Sequence, residues 1–274
     1  MTVYPFEIHL GAFTITGYGI MLMVAFLVAG WAYARQLARI GQPDTIAWDT
    51  VVFAVIGGLL GAKIYYAILV HRWDALLSRG GLVWYGGFAG GLIAVFAYMW
   101  WKRLPIRSLL DAISPSLAVG YSLGRVGCFI VGDDYGRPTS LPWGIKFPQG
   151  APPTTALDLQ TQFHVAVPAG VAPGAVLAVH PTELYEVGLA FLIFWVLWRR
   201  LPHSHAPGWL FGLYLVLAGA ERAFVEIFRA KDDRFFGPIS MAQVLSFAIV
   251  VLGAVLMTRY RAPAITAPSV AGNG

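Results

Sequence analysis

Gly124-Arg125-Val126-Gly127-Cys128-Phe129-Ile130-Val131-Gly132-Asp133-Asp134-Tyr135-Gly136 sets one arginine and two carboxylates among four glycines at the end of a strongly apolar segment. An ionisable group inside a bilayer is costly and is by default a functional-site hypothesis. Glycines at this spacing bare the backbone to a neighbouring helix or a ligand. Composition says that the solvent here is lipid. Of 274 residues, 58% are hydrophobic and 12% charged, and the mean hydropathy is +0.66, too apolar for an ordinary soluble domain. Ten Trp and twelve Tyr suit two aromatic interface belts. A net charge of +5 fits a protein lying against anionic lipid, and no nucleic-acid-binding pattern is present. The single cysteine, Cys128, excludes an intrachain disulfide and offers no metal spacing. Residues 1–12 lack the basic start of a cleaved signal peptide, so this segment is expected to be retained.

Working outward, about 20 apolar residues are needed per helical span. Seven segments qualify: 14–34, 47–70, 81–101, 108–129, 182–200, 208–230 and 240–260. The expected fold is an all-α integral membrane protein of seven transmembrane helices, in one domain over residues 1–262. Orientation follows from the basic residues, of which nine fall on one side and seven on the other. Lys102-Arg103 and Arg199-Arg200 cluster at helix ends on the richer side. The N-terminus is therefore expected outside and the C-terminus in the cytoplasm. The one long connection, 130–181, is Pro- and Gly-rich and is expected to be irregular and extracytoplasmic. Residues 263–274 read as a disordered cytoplasmic tail.

With this topology the charges left within the spans fall in the outer half of the membrane. They are Lys63, Arg125, Glu183, Glu186, Glu221, Arg222 and Glu226, with Tyr18 and Tyr85 near the outer starts of their helices. Helical geometry puts Arg222, Glu226 and Arg229 within about 60° of one another, and Tyr121, Arg125 and Cys128 on one face. Gly57/Gly61, Gly86/Gly90 and Gly87/Gly91 give small-xxx-small pairs for packing the second and third helices. Two arginines aimed at one cavity, one of them held by a carboxylate, would receive phosphate, because the guanidinium fork matches phosphate oxygens. Blander readings stand beside this one. Arg222–Glu226 is also a plain structural ion pair, and Glu183 an acidic first helical turn after Pro181. Lys63, Lys231 and Arg234 can snorkel, Cys128 can be a small core residue, and Asp133-Asp134 can turn the chain. His71, His203 and His205 read as loop residues.

Together these residues resemble the prolipoprotein diacylglyceryl transferases, bacterial membrane enzymes that begin lipoprotein maturation. The family signature Gly-Arg-x-Gly-Asn-Phe-x-Asn-Gly-Glu-x-x-Gly aligns with residues 124–136. Tyr85-Gly86-Gly87, His180-Pro181-Thr182-Glu183-Leu184-Tyr185-Glu186 and Arg222-Ala-Phe-Val-Glu226-Ile-Phe-Arg229 follow the family's other motifs in order. The departures are Cys128 and Val131 for the two asparagines, Asp133 for glutamate, and Tyr85 where well-known members have histidine.

The resemblance implies transfer of a diacylglyceryl group from phosphatidylglycerol to the lipobox cysteine thiol of a preprolipoprotein, with glycerol phosphate leaving. Its partners would be phosphatidylglycerol, lipobox signal peptides and membrane lipid. No cofactor or metal is implied, and the setting would be the bacterial inner (plasma) membrane with the site facing the extracytoplasmic side. On this reading Arg125 and Arg222 take the phosphate, Glu226 orients Arg222, and Tyr85 bonds the headgroup or thiol. Tyr18, Gly86, Gly87, Cys128, Gly132, Asp133, Gly136, Glu183 and Arg229 complete the substrate contacts, with Gly132 and Gly136 giving backbone access. The alternatives are an inactive homologue that binds phospholipid or signal peptide, and an enzyme using the same lipid donor with another acceptor.

Overall fold

A computed structural model describes residues 1–10, 13–77, 81–202, 205–230, 234–236 and 239–260. The expected tail 263–274, together with Arg79, His203 and Lys231, lies outside these residues, as does the Arg234 side chain. A hairpin of β1 (Glu7–Leu10) and β2 (Phe13–Thr16) leads into α1 (Gly17–Arg39) and α2 (Thr45–Leu69). A short 3-10 turn (Trp73–Leu77), α3 (Trp84–Trp101) and α4 (Ile106–Val131) follow, then the short α5 (Ala156–Thr161). The chain ends with α6 (Thr182–Arg200), α7 (Trp209–Glu226), β3 (Arg234–Phe236), β4 (Ile239–Ser240) and α8 (Met241–Arg259).

The long helices match the expected segments to within a few residues, and their ends have local causes. Thr16 opens α1 by accepting from the Gly19 amide. Ser240 and Gln243 form a reciprocal capping box on α8. Gly132 ends α4 at φ 69°, a conformation that glycine adopts without penalty. Helices α1, α2 and α8 are long and apolar enough to cross a membrane by length and composition. The other four are interrupted by glycines and aromatic residues (α3) or by charges (α4, α6, α7). Large apolar side chains such as Ile56, Leu60, Phe88, Ile93, Phe247 and Leu252 point outward. That is the inverse of a water-soluble protein and suits lipid as solvent.

Helix α4 sits centrally, packed against α1, α6 and α7, while α2 pairs with α3 and α8 with α7. The α2–α3 pair depends on glycine. A Cβ at Gly57 would lie 2.6 Å from the Gly90 carbonyl oxygen, and one at Gly61 would overlap the Gly86 carbonyl. Gly87 and Gly91 pack less tightly. Gly212, Gly219 and Gly253 play the same part between α7 and α8, which the sequence reading did not pick out. Gly61→Val is expected to destabilise the protein by about 1–3 kcal/mol by forcing α2 and α3 apart. Thermal unfolding in detergent checks this, and a wild-type transition would refute the tight pairing.

Two expectations are corrected. The connection 130–181 is more than an irregular loop. Tyr135, Ile145, Phe147, Leu159, Val179 and Ala230 form a buried core there, with the Tyr135 and Phe147 rings stacked at 5.7 Å. Isolated bridges, Pro138 to Val179, Ile145 to Val179 and Thr155 to Val176, tie it together. Widely spaced aromatic and β-branched residues make a core without the periodicity that marks an element in sequence. The sixth long helix ends at Glu226 rather than 230, so Arg229 lies beyond it, bridged to Gly136. Asp111, which the sequence does not single out, is buried in α4, where it accepts from the amides of Gly208 (2.7 Å) and Phe211 (2.8 Å) at the start of α7. It caps a helix from 97 residues away, satisfying donors that would otherwise be orphaned.

Candidate active site

Where α4, α6 and α7 meet the folded connection, charged side chains converge. Arg125, nearly two turns from the end of α4, lies over the Tyr121 ring with 5.1 Å from guanidinium carbon to ring centroid. Its Nε is 2.9 Å from the fully buried Glu186 carboxylate of α6, and Tyr121 Oη donates to the other oxygen of Glu186 at 2.8 Å. Its Nη1 donates to Asp134 Oδ2 at 2.5 Å, with Cys128 Sγ 3.6 Å away. Asp134 Oδ1 accepts from Arg229 Nη2 at 2.6 Å. One carboxylate therefore bridges two guanidiniums. Arg229 Nε stands 3.8 Å from Glu226, and Glu226 pairs with Arg222 at 2.6 Å. The network runs Glu186–Arg125–Asp134–Arg229–Glu226–Arg222.

The backbone holds Asp134 in place. Thr182 Oγ1, in the first turn of α6, donates to the Asp134 carbonyl at 2.8 Å. Gly136 N donates to His180 O, and Arg137 N to Phe228 O. Gly136 threads so closely here that a Cβ would lie 2.5 Å from the Phe228 carbonyl oxygen and 2.8 Å from His180 Cβ. Burial opposes the Asp134 charge, but Arg229 and Arg125 hold its carboxyl down to about 2. Its neighbour behaves oppositely. Burial, and then the negative charge of Asp134, push Asp133 up to about 6 against the pull of Arg125, and Asp133 Oδ1 has no hydrogen-bond partner. Cys128, Asp133 and Asp134 bring potential ligand atoms within 4.8 Å of one another, but both oxygens of Asp134 are already engaged by arginines.

Several expected residues are brought together and others are not. Arg125, Cys128, Asp133 and Arg229 meet around Asp134, and Arg222 and Glu226 join through Arg229. Tyr18 packs at Gly127, where a Cβ would be 3.1 Å from its ring, and it lies within electrostatic reach of Cys128, Asp133 and Arg125. Glu183 is fully buried in α6, and neither carboxylate oxygen has a hydrogen-bond partner. Gly132 packs on Phe147 and Gly136 between Phe228 and His180, so both have a structural reason to be glycine. Gly86 belongs to the α2–α3 interface. Tyr85, in the first turn of α3, is 65% exposed, with its ring edge-on to Trp84 at 5.3 Å. The sequence reading missed the centre of the network, because Asp133-Asp134 resembles an ordinary turn. The available signal was charge balance: two arginines brought into an apolar interior require anions.

A helical membrane protein with a buried arginine–carboxylate site at one end of its bundle is the class that the fold and site define. The chain belongs to the prolipoprotein diacylglyceryl transferase family, whose model matches residues 5–259. Its relatives include the phosphatidylglycerol–prolipoprotein diacylglyceryl transferases of Proteus mirabilis (32% identical, covering 92% of this chain and 90% of the relative) and Cupriavidus metallidurans (31% identical, 92% of each). That of Stenotrophomonas maltophilia is 31% identical over 97% of this chain and 95% of its own.

Proposed function

We propose that this protein transfers a diacylglyceryl group from phosphatidylglycerol to the lipobox cysteine of preprolipoproteins, in a bacterial inner membrane that it crosses seven times, N-terminus outside. The observation that carries the reading is the Asp134 carboxylate bridging Arg125 and Arg229. Its two oxygens occupy the positions that two non-bridging oxygens of a phosphodiester would take, so the guanidiniums are already arranged for that ligand. In the reaction the peptide sulfur bonds the terminal glyceryl carbon while that carbon's bond to the phosphate oxygen breaks. Negative charge grows on the departing phosphate, where pre-arranged cations lower the barrier most. The thiol proton ends on water or on the released monoester, whose second pKa is about 6.

Arg125 and Arg229 are the phosphate ligands in this reading, with Arg222 steadied by Glu226 behind them. Glu183, buried without a donor, would accept from a glycerol hydroxyl of the headgroup. Tyr85 would meet substrate from the lipid side, since its ring is exposed there. Purified protein given phosphatidylglycerol and a lipobox peptide is expected to release glycerol phosphate, and the same peptide with Cys→Ala to release none. Lipid binding without thiol-dependent release would replace this reading with that of a phospholipid-binding homologue.

The raised pKa of Asp133 gives a pH signature. Below about 6 the group is neutral, and above it a negative charge appears beside Arg125 and opposes an anionic lipid. The KM for phosphatidylglycerol is expected to rise by about threefold between pH 5 and 8, as suits a partly screened charge interaction. Asp133→Asn should flatten that rise. An unchanged profile in the variant would assign the titration elsewhere.

A further inference from the structure

At the far end of α1 and α6, two tryptophans and two arginines form a second site. Helix α6 runs from the Arg125 network at Thr182 to Trp198, a distance of roughly 24 Å at the α-helical rise. There Trp31 and Trp198 stack with ring centroids 6.2 Å apart. The Arg39 guanidinium lies 4.5 Å from the Trp198 ring centroid and that of Arg35 lies 5.6 Å from Trp31. With Ala38 these residues line an open pocket of about 430 Å³.

The arginine geometry is arranged in advance. Arg39 Nη1 donates to Gln36 Oε1 at 3.0 Å and to the Trp198 carbonyl at 3.2 Å, and Gln36 is fully buried. These two bonds hold the guanidinium against the indole and leave its Nε and Nη2 donors without a protein acceptor among the described residues. Neither Arg35 nor Arg39 has a carboxylate within ion-pairing distance among the described residues. Two like charges one helical turn apart repel. Every arginine of the Arg125 network, by contrast, has its carboxylate. A span of 23 residues exceeds the roughly 20 needed for the hydrocarbon, so the last turn of α1 stands at headgroup level. Trp198, whose carbonyl Arg39 reaches, belongs at that depth, and Trp31 lies about two turns deeper towards the acyl chains.

We propose that this pocket binds the phosphodiester of an anionic phospholipid in the leaflet opposite the Arg125 site. The free guanidinium donors would take the phosphate oxygens, and the Trp31–Trp198 wall would pack on the glycerol backbone and upper acyl chains. A basic pocket between helices at a membrane face is a recognised setting for acidic headgroups. The site is separate from the transfer chemistry and holds lipid that is not consumed.

Native mass spectrometry of protein released from nanodiscs of phosphatidylglycerol in phosphatidylcholine tests this. Wild type is expected to retain one more phosphatidylglycerol per chain than the Arg35→Gln/Arg39→Gln variant. An Arg199→Gln/Arg200→Gln variant, which removes equal charge outside the pocket, should retain the wild-type number. Equal retention by all three proteins, or equal loss in both variants, would overturn the site. Thermal melting gives an independent readout. Anionic nanodiscs should raise the wild-type transition above that in pure phosphatidylcholine, and the Arg35/Arg39 variant should lose the increment while folding in both. If millimolar inorganic phosphate in phosphatidylcholine reproduced the increment, the ligand would be a free anion and the lipid assignment would fail.

Discussion

Arg125→Ala is expected to lower thiol-dependent glycerol phosphate release by about 10³-fold, the usual cost of removing a donor that meets charge developing in a transition state. Arg125 touches three groups, Glu186 through Nε and both Asp134 and Cys128 through Nη1, and its guanidinium lies over the Tyr121 ring. An ammonium cannot reproduce that planar fork, so Arg125→Lys should recover little of the rate while keeping the positive charge. The lysine variant also guards against simple misfolding. Removing the charge altogether leaves the buried Glu186 carboxylate with only the Tyr121 hydroxyl, a situation that costs about 3–5 kcal/mol. A folded Arg125→Lys protein with full activity would remove Arg125 from the chemistry and leave it a structural cation.

Asp134→Ala should have the second largest effect, and its signature is different. Two guanidiniums lose the carboxylate that they share, which is expected to cost about 2–3 kcal/mol, at the low end for a broken pair because Asp134 is partly exposed. Since burial works against the Asp134 charge and the arginines hold it down to about 2, the stabilisation is present above its unfolded value near 4 and is lost as pH falls through about 2. Phosphatidylglycerol should then stabilise the variant more than it stabilises wild type, because the lipid phosphate takes the vacated position between Arg125 and Arg229. Melting curves with and without the lipid measure both effects. Equal stabilisation of the two proteins would show that Asp134 does not stand where the phosphate binds.

The helices were legible because the constraint behind them is simple. A bilayer demands about 20 apolar residues with every backbone group satisfied internally, and that demand is local. The glycine pairs Gly57/Gly61 and Gly86/Gly90 were legible for a similar reason, since a four-residue spacing on a helix is already a surface. Arg125 was legible because charge in an apolar segment is rare and expensive. Asp134 was not, since its significance lies in Arg229, which is 95 residues away and beyond the end of its helix. Nor was Asp111, which caps α7 from α4 across 97 residues of chain. The folded connection 130–181 escaped as well, because its core of Tyr135, Phe147, Leu159 and Val179 has no period to detect.

By itself, then, the sequence determined where the long helices run, that the α2 and α3 faces can approach closely, and which charged residue types are available inside them, since each depends on neighbours within a few turns. Tertiary structure alone decided that Asp134 bridges Arg125 and Arg229, that Glu183 is buried without a donor, that Tyr85 turns outward, and that Arg35 and Arg39 flank a pair of tryptophans. Those outcomes depend on distances between helices far apart in the chain. The electrostatic cost of burying an arginine guarantees that some anion will meet it, but only packing chooses which one.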